Sequence, residues 1–401
     1  MKKKILFIGI TMNCAGTEKS FVSFINTFDF DKYDATLLLA KKKGPFLKLL
    51  PNKLKIIEIN NYGDHFLQSG KNARGNIYNT FIRKNPFTAF TVLPYYIKIM
   101  LHPENVSSDA TRLWIRLMDY LPAIDEKFDV AVAYWGDRTM FYMLDKVKAD
   151  KYITWMHFDY AHPKRDDSIY LPYFKRCDSI VNVSSTVDDA LKKSLPELSG
   201  KCVVIENINS PSAIKIMADE PAIFPDPDYQ GKRILSVGRI TFQKGFDLAI
   251  RALKHLRTDG IDAKWYVIGE GDNEYKKNLS LLAEEYGVAD SFVFMGAYPN
   301  PYPFIKKCDV YAQPSRFEGK PISVEEAKIL SKPIVVCDYL SAAEQLRSGK
   351  LGLISSFEET DLSEKLEMLL TDDALSDSLV KSLQSEMLSN EAEISKFYNL
   401  I

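Results

Sequence analysis

Ile234-Leu-Ser-Val-Gly-Arg239-Ile-Thr-Phe-Gln-Lys244-Gly-Phe-Asp-Leu-Ala-Ile250 reads as a short β-branched apolar strand, a loop with two glycines and two cations, then a helical apolar pattern. Such a run belongs to a strand–helix unit of a parallel sheet covered on both faces. The same order opens the chain, where Ile5–Ile10 is followed by a loop holding Gly16. Working outward, strands are predicted at 5–10, 35–39, 130–134, 152–156, 179–183 and 202–205 in the first half. The second half is predicted to hold strands at 233–237, 265–269, 292–295, 310–313 and 333–337, with amphipathic stretches between. The fold class is α/β, two doubly wound sheets, and no fixed-period repeat or low-complexity tract interrupts it. Ligands of such sheets bind at the carboxyl ends of the strands, so the site is expected between the two domains.

The 401 residues, 46% hydrophobic and 26% charged, exclude a disordered, collagenous or disulfide-scaffold chain and fit two domains. Asn207–Gln230, rich in Ser, Pro and Asp, has the composition of an interdomain connection. Boundaries are set at 1–210, 211–385 and a closing segment 386–401, expected to pack back as a helix on the first domain. Net charge is −1, yet residues 1–120 carry 18 Lys and Arg against 9 Asp and Glu, leaving 34 against 44 beyond them. Five scattered cysteines without a C-x-x-C pair give neither a zinc site nor a disulfide framework and suit a reducing cytoplasm. The apolar run after Met1-Lys-Lys-Lys4 is too short for a signal-peptide core. The longest apolar stretch, Pro86–Leu101, is interrupted by Pro94 and Lys98 and is too short to span a bilayer.

Arg239 and Lys244, five residues apart at a strand's carboxyl end, can converge on one diphosphate; on spacing alone they could equally be solvated surface charges. Pro314-Ser-Arg-Phe-Glu318-Gly-Lys-Pro-Ile-Ser-Val-Glu-Glu326 is a turn-rich loop feeding a helix whose free N–H groups favour an anion. Glu318 and Glu326 could accept hydrogen bonds from vicinal hydroxyls of a sugar nucleotide. Ser323-x-x-Glu326 is also a capping box, which would give Glu326 a purely local task.

These segments, with the 267–272 run VIGEGD and the 292–298 run FVFMGAY, resemble the retaining glycosyltransferases of family 4, which have two Rossmann-like domains in the arrangement called GT-B. The resemblance is close over 233–354 and looser in the first half. It implies an acceptor-binding first domain and a nucleotide-sugar-binding second one. It further implies that Arg239 and Lys244 hold the donor diphosphate, that Glu318 contacts the donor sugar and Glu326 the ribose. Backbone groups of Gly319, Lys320, Pro321 and Ile322 then lie near the phosphates. Many relatives have glycine-phenylalanine-glycine where this chain has Gly319-Lys320-Pro321, so Lys320 is a candidate added phosphate or sugar contact.

In the first half, Trp155-Met-His157-Phe-Asp159 places His157 where the family carries a histidine near the reacting carbon; a neutral imidazole there can position or exchange a proton with a sugar hydroxyl. His162 lacks such support and is read as structural. The loop Thr11–Lys19 is similar to the family's glycine pair, with Ala15 in place of the first glycine and Gly16 matching the second. G-x-G-x-x-G is absent after this strand, which argues against a dinucleotide site. Asp226-Pro-Asp228 reads as a turn, and no metal or cofactor is expected beyond the donor itself, a UDP-sugar by preference.

The function so implied is metal-independent sugar transfer with retention, from a nucleotide diphosphate sugar to a saccharide or lipid-linked saccharide, in surface polysaccharide or glycoconjugate synthesis. A non-catalytic partner subunit that binds a sugar nucleotide and an epimerase or phosphorylase of the same fold are the alternatives. Lys2–Lys4, Lys41–Lys43, Arg83, Lys84 and Lys98, with Phe87, Phe90, Tyr95 and Tyr96, suggest peripheral contact with an anionic membrane at its cytoplasmic face. No nucleic-acid motif is present.

Overall fold

The computed structural model describes residues 2–13, 16–59, 63–66, 75, 77–101, 106–161, 164–386 and 389–401. Two compact units divide the chain. The first comprises Met1–Asn13, Phe24–Ile205 and Ile394–Ile401, the second Cys14–Ser23 and Glu206–Glu393.

In the first unit, seven parallel strands run β1 (Lys3–Gly9), β2 (Tyr33–Leu39), β3 (Lys55–Glu58), β4 (Ile124–Ala133), β5 (Val147–Met156), β6 (Ser179–Asn182) and β7 (Cys202–Val204), in the spatial order β3-β2-β1-β4-β5-β6-β7. Every residue of β1 from Ile5 onward is buried, as a central strand covered on both faces requires. Helix α1 (Gly16–Asn26), whose residues up to Ser23 belong to the second unit, follows β1 in sequence, and α2 (Thr88–Leu101) and α3 (Val106–Leu117) follow β3. The chain closes with α6 (Ile394–Tyr398), whose Phe397 is fully buried against Phe7, Phe24 and Trp155, while the Tyr398 hydroxyl accepts from the Asp29 N–H at 2.7 Å.

The second unit holds β8 (Lys232–Val237), β9 (Ala263–Ile268), β10 (Phe292–Gly296), β11 (Val310–Gln313), β12 (Ile334–Cys337) and β13 (Leu353–Ser355), in the order β10-β9-β8-β11-β12-β13 and all parallel. Alternate residues feed two cores. Ile234, Trp265, Val310 and Val335 pack with Ala249, Leu253 and Leu256 of α4 (Phe246–Thr258). Leu235, Tyr266, Tyr311 and Val336 pack on the other face with Val324 and Ala327 of α5 (Ile322–Ile329). Truncating any of the α4 leucines to alanine in such a core costs about 2–5 kcal/mol.

The strands expected from the sequence all form, with ends shifted by a few residues. Two more, β3 and β13, sit at sheet edges. The Pro- and Asp-rich stretch after Asn207 is more than a connection: Pro211–Ala218 is a helix begun by proline, Phe224 is buried, and Asp226 accepts from Lys264 at 2.5 Å and from the Tyr266 hydroxyl at 2.8 Å. The described cysteines are free thiols, and burial pushes Cys177 and Cys308 up to about 12, which removes them as nucleophiles.

Candidate active site

In the second unit the sheet order reverses between β8 and β11, so the loops leaving those two strands are neighbours at the switch point, where open α/β sheets hold ligands. The β8 loop brings Gly238, Arg239 and Lys244; the β11 loop brings Ser315 and Glu318 and runs into α5.

Two sets of bonds stitch these loops together. The Arg316 N–H donates to the Gln243 carbonyl at 2.8 Å, and the Gln243 amide donates to the Phe317 carbonyl at 2.8 Å. The Arg316 guanidinium grips Asp247 in α4 with two bonds of 2.8 and 2.6 Å. Burial pushes Asp247 up, but those bonds outweigh it and leave the carboxyl below its ordinary value. Gly245 is obligatory here: its φ is +68°, and a Cβ would stand 1.9 Å from the Pro314 carbonyl oxygen.

Within this frame Glu318 is buried and its Oε1 accepts from Lys244 Nζ at 2.5 Å and Ser315 Oγ at 2.7 Å. Gly238 shapes the pair, since a Cβ on it would press on the Lys244 side chain at 3.0 Å. Arg239 is exposed and, among the described residues, has no ion-pair partner. One of the two cations expected at the diphosphate is thus committed to Glu318, and the other is open to an anion.

Glu326 lies in the second turn of α5, 2% exposed, with its carboxylate 2.5 Å from Lys19 Nζ and accepting from the Tyr302 hydroxyl at 3.1 Å. Lys19 also sits 4.2 Å above the Tyr302 ring. Burial, followed by the Glu326 charge, pushes the Tyr302 phenol well above its usual range, so it remains a donor. The capping-box alternative does not hold. Pro321 is the N-cap, with φ −65° and no side-chain cap, and Ser323 donates its hydroxyl to Gln313 at 3.3 Å. The first N–H groups of α5 therefore lack a capping side chain, the condition that favours an anion.

Lys320 departs from the reading of it as an added phosphate contact: its buried ammonium lies 2.7 Å from Glu206 and 3.7 Å from Glu344. Burial pulls its pKa down, but Glu325, Glu206 and Glu344 outweigh that and leave it raised. With these carboxylates it lines a polar cavity of about 180 Å³.

Residues 223–385 match the family described as glycosyl transferases group 1. That match lies within the second unit and covers 163 of the 401 residues. Among curated relatives, the chain is 26% identical over 360 residues to the N-acetylgalactosamine-N,N'-diacetylbacillosaminyl-diphospho-undecaprenol 4-alpha-N-acetylgalactosaminyltransferase of Campylobacter jejuni, a match covering 88% of this chain and 90% of that one. It is 24% identical over 260 residues to an uncharacterized glycosyltransferase of Methanocaldococcus jannaschii, covering 58% of this chain and 62% of that one, so that match spans less than two thirds of the relative. The Anabaena HepE protein crystallised with UDP-glucose superposes with a TM-score of 0.70 at 14% identity over 100% of both chains, which establishes the GT-B fold.

Other residues expected to be functional lie elsewhere. Gly16 opens α1, and a Cβ there would meet nothing within 4 Å. His157 follows β5 in the first unit, its ring 5.0 Å from that of Tyr134. Burial lowers its pKa to about 3 against a bond to the Tyr134 backbone that raises it, so the ring is neutral, and its Nε2 is buried without a hydrogen-bond partner among the described residues. Ala15 and His162 lie outside the described residues. Lys19, Tyr302, Ser315 and Gln243 were not singled out from the sequence; only Lys19, directly after the glycine loop, carried a positional signal.

Proposed function

We propose that this chain transfers a sugar from a nucleotide diphosphate sugar, UDP-linked by preference, to a saccharide or lipid-linked saccharide, with retention of the anomeric configuration and without a metal. The observation that carries this reading is the pair of buried carboxylates, Glu318 and Glu326, each tied to one lysine beside the uncapped start of α5. A carboxylate held in place by a cation is preorganised to accept hydrogen bonds from sugar or ribose hydroxyls. Arg239, Lys244 and the α5 N–H groups supply positive potential for a departing diphosphate, which loses its bond to the anomeric carbon as the acceptor oxygen forms one. The proton of that hydroxyl passes to the leaving phosphate, and neutral His157 orients a sugar hydroxyl rather than carrying charge.

The complexes of HepE with UDP-glucose and the undecaprenol-linked acceptor named for the Campylobacter relative support this reading of a UDP donor, a lipid-linked acceptor and a part in surface glycoconjugate synthesis at the cytoplasmic face. The test is a donor screen with proton NMR of the product: transfer with retained configuration, lost in Glu326→Ala with the fold intact, is the expected result. Inverted product would refute retention, and nucleotide binding without transfer to any acceptor would favour a non-catalytic partner subunit.

A further inference from the structure

The loop that opens α5 is held from behind by side chains that the transfer reading does not use. The Lys320 side chain is only 9% exposed, and its ammonium lies 2.7 Å from Glu206 and 3.7 Å from Glu344. One residue on, the Pro321 carbonyl accepts from the Gln345 amide at 3.0 Å, and the same amide donates to Glu325 at 2.9 Å. Gln345 is itself fixed: its side-chain oxygen accepts from the buried Tyr339 hydroxyl at 2.7 Å and its carbonyl from Lys328 at 3.1 Å. The N–H groups of Gly319 and Lys320, by contrast, meet no acceptor among the described residues. Burying an ammonium is costly, and a loop lysine without a task keeps its charged end in water. Three carboxylates gather round this one instead and keep it protonated.

Glu206 ties the loop to the ends of its own unit. The long segment of the second unit begins at Glu206 and finishes at Glu393, and these two ends are bonded to each other. The Glu206 N–H donates to Glu393 Oε2 at 3.0 Å, the Asn209 N–H to Asn390 Oδ1 at 2.8 Å, and the Asn390 amide to the Asn207 carbonyl at 2.8 Å. Lys320, Glu206, Asn209 and Asn390 line one polar cavity. The loop beside the uncapped start of α5 and the paired chain ends therefore share a single ion pair.

We propose that Lys320 is a positioning residue for the diphosphate of the donor: through Glu206 it fixes the Gly319–Ile322 backbone on the paired ends of the unit, so that nucleotide binding at the loop also orders residues 206–209 and 390–393. The inference rests on the transfer reading for its ligand and goes beyond it in naming the side chain that holds the loop and the distant segments that binding stiffens. The coupling is reciprocal: what binding gains from a fixed loop, the paired ends gain from a bound ligand.

The experiment is calorimetric titration of the full chain with UDP, joined to amide hydrogen exchange. In wild type, UDP should slow exchange at 322–326 and also at 206–209 and 390–393. Lys320→Met should weaken UDP binding about tenfold and abolish the slowing at 206–209 and 390–393 while keeping it at 322–326. Lys320→Arg, which retains the charge, should restore both readouts. Glu206→Gln leaves Lys320 its Glu344 partner and should show the same pattern with a smaller loss; it carries the test if Lys320→Met fails to fold. A lysine that only stabilises the fold would lower the melting temperature of Lys320→Met and leave UDP affinity and the exchange pattern unchanged, which overturns the proposal while the transfer reading stands. Absence of UDP binding by the wild type defeats the transfer reading and the proposal with it.

Discussion

Replacing Lys244 with alanine leaves the buried Glu318 carboxylate without its cation. Both side chains are nearly enclosed, at 13% and 9% exposure, so solvent replaces little of what is lost. Breaking a buried ion pair from one side costs about 3–5 kcal/mol. The Ser315 hydroxyl at 2.7 Å stays on Oε1 and retains about 1–2 kcal/mol of that, which leaves a net loss of about 2–3 kcal/mol. For a unit of about 150–250 residues, each kcal/mol moves the melting point by about 2–4 °C, so differential scanning calorimetry should show a fall of roughly 5–10 °C. The companion variant decides the cause. Adding Glu318→Gln to Lys244→Ala removes the stranded charge, so the double variant should melt above the single one. A single variant within about 1 °C of wild type, or a double variant lower by the sum of the two single losses, would refute the ion pair as the organiser of this loop.

Three further outcomes follow from the geometry. Gly16→Ala meets no steric obstacle, so stability should hold or rise by up to about 1 kcal/mol while kcat/KM falls; unchanged kinetics would return Gly16 to an ordinary helix residue. His157→Ala should keep nucleotide affinity and lose turnover, measured by calorimetry and a transfer assay, and an unchanged rate would make the histidine structural. His65 is stacked on Trp114, and burial lowers its pKa to about 3 from an ordinary 6.5, against a bond to the Trp114 carbonyl that raises it. The unfolded chain binds a proton that the folded one refuses, so this contribution is complete above pH 6.5 and is lost as pH falls towards 3. His65→Phe should therefore flatten the acid limb of stability against pH by up to about one proton; parallel limbs would contradict the assignment.

The alternation of apolar strands and amphipathic stretches was enough to read the two parallel sheets. Lys55–Glu58 and Leu353–Ser355 escaped because short, half-buried edge strands lack a continuous apolar run. The start of α5 was ambiguous in the sequence: Ser-x-x-Glu fits a capping box, but the fixed φ of Pro321 begins the helix two residues earlier and puts Ser323 inside it. The partners of the two glutamates were illegible for a different reason. Lys244 is 74 residues from Glu318 in sequence, and Lys19 and Tyr302 reach Glu326 from separate segments. Only the strand order that places β8 beside β11 makes the first pair, and no periodicity encodes that order. Lys320 shows the same limit, since a lysine in a phosphate-binding loop gives no sign that Glu206 and Glu344 will claim it.

The central claim is that the second unit's paired carboxylates and cations form a nucleotide-sugar site. Titration calorimetry of UDP, GDP, dTDP, ADP and CDP against wild type and Lys244→Ala, without metal and then with magnesium, tests it most directly. The account predicts preference for UDP, an affinity indifferent to magnesium and about tenfold or greater weakening in the variant. Absence of binding by every nucleotide, or equal affinity in wild type and variant, would contradict it.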